Sequence, residues 1–572
     1  QSLIAFAAGG LIGRGPGLGA PGVVPVAYSD FIFTALGEEY GVVGALGCLL
    51  IIAVLVLRGL RVAARSADSA DRMLAGSLSA LLGLQSILII GGVLRLLPLT
   101  GVTLPWVSYG GSSLVSCAVN LALILIVSGK PPADRPSPRA VRPLAVLAGL
   151  QIAAVLAAAV SLGWWGMYRA PVLRTRTDNV RRVLHDLRIR RGNLYDRNGA
   201  PLAQTAGAPG AYAREYPDPA AAPVVGYSSP RYGQGGMEGA LDPWLRGEAS
   251  RDAFEIWWTE TVLGQGAEGT SARLTIDRAL QDEGSRRLGG RTGAIVVLLA
   301  RRGDVLALVT EPTYDPATLE TDWDQLLDNP RSPLLNRATQ GLYPPGAVLL
   351  PFLAAESSEN GWLAPAAGLC DLPVDVLLAA HPDLLPLTLD RFRFTQAPEM
   401  DLPAAYSPSA SLPRTAAGLY AGTDGGEGIL ISPMQAALAL SSLAAEGTAP
   451  APLLSLWLET PSGWIPGSAP GHPIAMTTAE TAAGALALIR GGGTPGGDVE
   501  LPQCAPPLPE QTDISWFAGF RPVGDDSIVV VVAIEGDYRD AASIGREMLS
   551  RAEERLLNPE NAPGSSPAAQ YY

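Results

Sequence analysis

Four apolar stretches mark the first third of the chain, and after residue 169 the pattern changes to short alternating runs. Tyr40 to Leu57, Met73 to Leu94, Leu114 to Val127 and Pro143 to Tyr168 carry no charged residue. The last is long enough to cross a hydrocarbon core of ~30 Å at ~1.5 Å per residue. It ends in Trp164, Trp165 and Tyr168, the aromatic belt of a membrane interface. The pattern predicts four membrane spans. Arg58, Arg61, Arg65 and Arg72 follow the first, and Lys130, Arg135, Arg139 and Arg142 precede the last. By the positive-inside rule these sides are cytoplasmic, so Arg169 onward is exported. Residues 1 to 30 are rich in Gly and Pro and read as a loop rather than a span, and 97–113 reads as an outer loop.

Beyond the last span, 169–270 is polar and broken. Gly293 to Leu299 and Asp304 to Thr310 are β-branched runs joined by Ala-Arg-Arg-Gly, which predicts a hairpin. Ser432-Pro433 reads as the N-cap and first turn of a helix continuing through Met434 to Ala445. SWFAGF (515–520) and SIVVVVAIE (527–535) predict adjacent strands, 540–557 an amphipathic helix, and 558–572 a disordered tail.

A content of 48% hydrophobic and 17% charged residues fits this mixture of lipid-embedded and water-soluble parts. The net charge of −13 without a basic stripe in the exported part argues against nucleic acid as a partner. Cys48 and Cys117 sit in apolar runs, and Cys370 and Cys504 in the exported region, where spacing alone leaves their pairing open. His185, His381 and His472 stand alone, so a structural zinc site is not expected. The chain opens on Gln1 without a signal peptide and in mid-motif, which points to an incomplete N-terminus.

QSLIAFAAGGLIGRGPG, VVPVAYSDFIFTALGEEYG and LRLLPLTGVTLPWVSYGGSS stand in that order. They resemble the C-terminal part of the SEDS family of RodA and FtsW, polytopic peptidoglycan glycosyltransferases. The resemblance implies polymerisation of lipid II, with Asp30 of SDFIF as the catalytic carboxylate. Such a base takes the proton of the attacking sugar hydroxyl, worth typically ~10²–10⁴ in rate. The diphosphate leaving group needs positive charge, from Arg14 or from a divalent cation, Mg or Mn, held by Asp30. By spacing alone Asp30 reads equally as the cap of a helix beginning at Phe31. Glu38, joined by Glu39, enters an apolar span, where a carboxylate either has a role or pairs with an arginine such as Arg95. Arg14, Glu38 and Tyr109 are the substrate-binding candidates, although Tyr109, Gly110 and Gly111 also suit a tight turn.

IRRGNLYDRNGAPLA and GGMEGALDPWLRG resemble the pedestal of class B penicillin-binding proteins. LTIDRALQ, GAIVVLLARRGDVLALVTEPTYDP, SPLLNRATQGLYPPG and ISWFAGFRP follow in the order of that family's transpeptidase domain. The family sets a serine nucleophile three residues before a lysine. After YPPG this chain has Ala347 and Leu350 at those positions, so neither hydroxyl nor amine is present. The Ser-x-Asn of Ser358 to Asn360 lies too close to be the family's second motif, and the third falls in the proline-rich 503–510. The single lysine, Lys130, is on the cytoplasmic side, and an arginine stays protonated at any physiological pH and cannot act as base. Ser407, Ser409 and Ser411 lie in a Pro-bounded loop without a nearby base.

The fold expected is multidomain: an α-helical polytopic membrane segment, an α+β pedestal, and a penicillin-binding, transpeptidase-like α/β domain with an antiparallel sheet. The expected boundaries are 1–130 partial SEDS domain, 131–143 cytoplasmic linker, 144–168 transmembrane helix, 169–270 pedestal, 271–557 transpeptidase-like domain and 558–572 tail. The function implied is SEDS-type polymerisation of lipid II, with the fused domain as a non-catalytic activator docking near Asp30. The alternative is a non-enzymatic, membrane-anchored scaffold or glycan-binding protein. Expected partners are lipid II, undecaprenyl-linked glycan, other cell-wall synthesis proteins and the bacterial plasma membrane.

Overall fold

The computed structural model describes residues 1–557 except 21–22, 25–27, 133–137, 175–188, 209–210, 253–254, 256–257, 260–267, 363–367, 408–415, 420–427, 491–497, 503, 505–513 and 537–539. Ser409, Ser411 and most of the 503–510 segment, like the expected tail, therefore lie outside the described residues. The chain divides into two compact units, one holding 1–188 and 253–267 and the other the rest.

The first unit is helical: α1 (Ser2–Gly9), α2 (Ile32–Glu39), α3 (Gly41–Arg65), α4 (Ser69–Val93), α5 (Gly111–Ser128), α6 (Pro138–Gly163), a π-helical turn at Trp164–Tyr168, and α7 (Ala170–Arg174). Among the described residues, four helices are long and apolar enough to cross a membrane: α3, α4, α5 and Val141–Tyr168. The expectation of a loop through residues 1 to 30 fails at its start. SLIAFAAG folds as α1 because its apolar residues precede the Gly/Pro-rich segment, and Leu3, Ile4 and Phe6 bury against their neighbours. The core joins Phe6, Phe33, Leu49, Ile52, Ile89 and Leu162, so α6 packs with α3 and α4 rather than standing alone. At one end, Lys130 Nζ pairs with Asp71 (2.7 Å), Arg72 donates to the Ser66 carbonyl (2.7 Å), and Ser66 bridges to Pro132. Lys130 and Arg72, two of the basic residues that define the predicted inner side, thus share one end of the bundle.

In the second unit, a five-stranded antiparallel sheet runs β13 (Val499–Glu500), β14 (Ile514–Val523), β15 (Asp526–Glu535), β7 (Gly293–Leu299) and β8 (Val305–Glu311). The Val-rich runs do not alternate with polar residues because both faces are covered. Val296, Leu298, Val529 and Val531 join the cluster that holds the helix Pro433–Ala444. Ile295, Val297, Val530 and Val532 join the one that holds Arg278–Leu288 and Ala541–Leu557. Ser432 and Gln435 close a reciprocal capping box at the start of Pro433–Ala444, as the Ser-Pro signal implies.

A second sheet orders β11 (Gly463–Pro466), β10 (Ser455–Thr460), β6 (Ala272–Leu274), β1 (Leu194–Tyr195), β2 (Pro201–Ala206) and β3 (Ala213–Glu215). It takes strands from both sides of residue 270. Cys370 and Cys504 form a disulfide with Cα atoms 5.3 Å apart.

Candidate functional site

In the first unit, Gly41 has φ +69°, and a Cβ there would lie 2.4 Å from the Gly13 nitrogen. Gly13, at φ +96°, would bring a Cβ to 2.2 Å from the Glu39 carbonyl. The glycines therefore let segment 10–15 lie on the joint between α2 and α3, where the Arg14 amide donates to the Glu38 carbonyl (3.0 Å). Glu38 is fully buried and accepts from the Ala20 amide (3.1 Å). The Arg95 alternative fails, since that residue sits exposed just past α4 with φ 60° and does not reach Glu38.

Asp30 belongs to a separate arrangement. The helix-cap reading fails: α2 begins at Ile32, its N-cap is Phe31, and no side chain caps it. The half-buried Asp30 carboxylate instead accepts from the Ser29 hydroxyl (3.0 Å) and lies beside Gly101. Its loop is stapled to the outer loop. Ser108 donates to the Ser29 carbonyl (2.6 Å), its oxygen accepts from the Leu104 amide (2.7 Å), and the Tyr109 amide donates to the Tyr28 carbonyl (3.0 Å). Tyr28 and Tyr109, both exposed, meet edge to face at 6.4 Å. The structure thus joins Asp30 with Tyr109, and Arg14 with Glu38. Ser29 and Ser108 were missed in the sequence; a Ser beside each motif's Asp or Tyr was the available signal. A half-buried carboxylate whose hydrogen-bond partner is a serine hydroxyl, on a loop beside exposed tyrosines, has the chemistry of a general base.

In the second unit, Ala347 lies in the 3₁₀ turn Gly346–Leu349, half-buried, and Leu350 opens the helix Leu350–Glu359 and is buried. The turn is braced from three sides. Tyr343 donates to Glu535 (2.9 Å), Arg337 pairs with the same oxygen (2.9 Å), and Trp516 Nε1 donates to the Pro344 carbonyl (2.9 Å). Burial first, and then Glu535, push the Tyr343 hydroxyl far above the usual range, so it stays protonated. Asn360 turns back onto Glu356 and serves the helix end, not a cleft. His381 stacks on Trp362 at 4.2 Å.

The two pedestal motifs meet in an ion cluster that the sequence did not disclose. Glu238, fully buried, accepts from Arg191 Nε and Arg214 Nε, both at 2.6 Å, and Arg191 also pairs with Asp242. Burial alone would raise the Glu238 carboxyl, but Arg214 and Arg191 outweigh it and hold it below its ordinary value. Elsewhere Asp282 is pushed up to about 7, by burial first and then by its hydrogen bond to and repulsion from Asp218. This group's folded value lies above 3.8, so its contribution to stability is complete below that pH and is lost as pH rises through about 7. The thermal midpoint should fall as pH rises from about 5 to about 8, and Asp282→Asn should flatten that slope. An unchanged slope in the variant would remove Asp282 as its source.

Among the described residues, four membrane-length helices thus precede a second unit built on a helix-flanked antiparallel sheet. The family described as cell cycle protein, FtsW/RodA/SpoVE, matches residues 1–131, the penicillin-binding protein A dimerisation domain 191–272, and the penicillin-binding protein transpeptidase domain 293–371. The chain is a membrane protein that fuses part of an FtsW/RodA-family domain to penicillin-binding-protein dimerisation and transpeptidase domains. Its first part is 48% identical over 128 residues to peptidoglycan glycosyltransferase RodA of Mycobacterium tuberculosis, covering 22% of this chain and 27% of that protein. It is 42% identical over 130 residues to a probable FtsW of Geobacter metallireducens, covering 22% and 35%. The chain therefore spans only about a quarter to a third of these relatives. Penicillin-binding protein A of M. tuberculosis superposes with a TM-score of 0.54 at 25% identity, covering 64% of this chain and 99% of that structure. A D,D-transpeptidase domain from Eggerthella lenta, at 22% identity and TM-score 0.54, shares the fold.

Proposed function

We propose that this protein works in peptidoglycan synthesis at the outer membrane surface, with glycosyl transfer from lipid II in its first unit and no acyl transfer in its second. The observation that carries the reading is the pairing of a RodA-like segment, with Asp30 in a loop stapled to the outer loop, to a transpeptidase fold with Ala347 at the nucleophile position. Asp30 takes the proton of the acceptor hydroxyl as its oxygen bonds to the donor's anomeric carbon. The bond to the lipid diphosphate breaks, and the electron pair leaves with that diphosphate. Arg14, Glu38 and Tyr109 are proposed to hold the substrate. Among the described residues no group of three or more His, Cys, Asp and Glu gathers around an ion. Magnesium, however, accepts one or two carboxylates plus substrate phosphates, so Asp30 fits as the residue that would hold Mg or Mn. Such an ion would neutralise the departing diphosphate.

The Cys370–Cys504 disulfide supports an oxidising, extracytoplasmic location for the second unit. Fusion raises the effective concentration of its pedestal for the polymerase to the mM range typical of short linkers, which suits a non-catalytic activator. Fluorescent penicillin should leave the purified protein unlabelled, because loss of the nucleophile alone costs a comparable serine enzyme ~10⁶ in turnover. A covalent penicilloyl adduct on any residue of the chain would refute the inactive reading.

A further inference from the structure

A pocket of about 190 Å³ lies inside the first unit, between α3, α4 and α6. Its walls are apolar, with Leu49 and Ile52 from α3, Ile90 from α4, and Val155 and Ala158 from α6, and among the described residues no charged side chain lines it. Two polar groups interrupt this lining: the Gln151 amide and the Ser86 hydroxyl, 6% and 2% exposed. The Ser86 hydroxyl donates to the Leu82 carbonyl (2.8 Å), which leaves its oxygen able to accept. Gln151, well inside the span Val141–Tyr168, makes no hydrogen bond among the described residues. A Cβ at Gly83 would lie 2.7 Å from the Gln151 Oε1, so that glycine lets the amide rest against α4, one turn before Ser86.

An amide without a partner inside a hydrocarbon layer is costly, and an unfilled apolar space beside it is costly again. A water molecule answers the amide and leaves most of the volume empty. A plain acyl chain fills the volume and leaves the amide unpaired, and a charged group finds no counter-charge at that depth. A neutral molecule with a hydroxyl answers both needs: the hydroxyl accepts from Gln151 Nε2 and donates to Gln151 Oε1 or Ser86 Oγ, while its carbons fill the walls. A cavity on the order of 150 Å³ holds a benzene ring, so this pocket takes a hydroxyl and about six to eight carbons. We infer that it binds a neutral membrane lipid bearing a single hydroxyl, with that group on Gln151 and Ser86 and the chain leaving where Leu97 and Ala157 are exposed. Because α3 and α4 lie within the FtsW/RodA match and α6 lies beyond it, the ligand joins the two parts of the bundle. The site rests on the membrane placement of these helices and not on the chemistry proposed for Asp30.

The test is photolabelling of the full chain in detergent with 1-octanol that carries a diazirine, followed by mass mapping of the labelled peptides. Adducts should concentrate on 86–97 and 151–158. Unmodified octanol should displace the probe about three- to tenfold better than octane at equal mole fraction in the micelle, the margin of a hydrogen bond in an apolar layer. Gln151→Met, which keeps the length of the side chain and removes its polar atoms, should lower displaceable labelling by a similar factor. Ala154→Phe, which fills the pocket from a half-buried position on α6, should abolish it, with thermal unfolding as the control for folding. Displacement by 4-ethylphenol as strong as by octanol would support the same recognition with an aromatic alcohol as its source. Adducts spread evenly over all four spans, octane displacing as well as octanol, or Gln151→Met labelled like the parent would overturn the assignment. Labelling needs no lipid II, so its failure leaves the polymerase reading intact, and loss of that reading leaves the pocket intact.

Discussion

Asp30→Asn, made in a protein that also carries the remaining helices of the FtsW/RodA relatives, should lower turnover in lipid II polymerisation by ~10²–10⁴-fold, as expected for loss of a general base. The substitution keeps the size of the side chain and its acceptor for the Ser29 hydroxyl, so the stapling of 28–30 to 104–109 should survive. The measurement is glycan chain formation from lipid II, with thermal unfolding as the control for folding. Full activity in Asp30→Asn and Asp30→Ala would remove Asp30 as the base, whereas no glycan formed even by the parent protein would leave the non-enzymatic scaffold as the better account.

Glu238→Ala is the second large effect. Glu238 sits between Arg191 and Arg214, and its removal leaves two guanidinium groups facing each other in a buried site. Breaking a buried pair from one side costs ~3–5 kcal/mol, so the pedestal should unfold well below the rest of the protein. Amide hydrogen exchange over 191–245 reports this directly, and protection equal to the parent would contradict the role given to the cluster. The acid limb follows the same logic with opposite sign to Asp282. The folded Glu238 carboxyl lies below its ordinary value of 4.5, so its contribution is present above that pH and is lost as pH falls through the folded value. If the second unit activates the first, Glu238→Ala also lowers polymerisation with Asp30 untouched. Normal polymerisation by a protein with an unfolded pedestal would reject the activator role.

What the sequence disclosed and what it concealed follow from the range of the interactions involved. The runs Gly293 to Leu299 and Ser527 to Glu535 were legible as strands because β-branched residues bounded by turns leave few other outcomes. Ser432 was legible as a cap because its partner, Gln435, is three residues away. α1 was missed because the glycines that follow it dominated the composition of the first 30 residues. The Asp30 cap was wrong for a related reason: one residue's shift in where α2 begins removes the hydrogen bond entirely. Arg191 and Glu238 lie 47 positions apart, and their motifs were recognised without any local pattern to pair them. The Cys370–Cys504 bond closes a separation of 134 residues, and cysteine spacing could only leave it open. Ala347 and Leu350 were singled out by the side chains they lack, and the fold sets them in the turn Gly346–Leu349 and at the start of the helix after it.

The sheet that sets β6 between β10 and β1 has a bearing on how such molecules can be dissected or recombined. The strands at 194–215 are completed by a hairpin that arrives only at 455–466, so no single cut near residue 270 releases a self-sufficient piece. A chimera that imports another protein's pedestal must import the matching hairpin as well. During synthesis, β6 must wait for β10, its partner nearly two hundred residues further along the chain, on the order of ten to forty seconds at ribosomal speed.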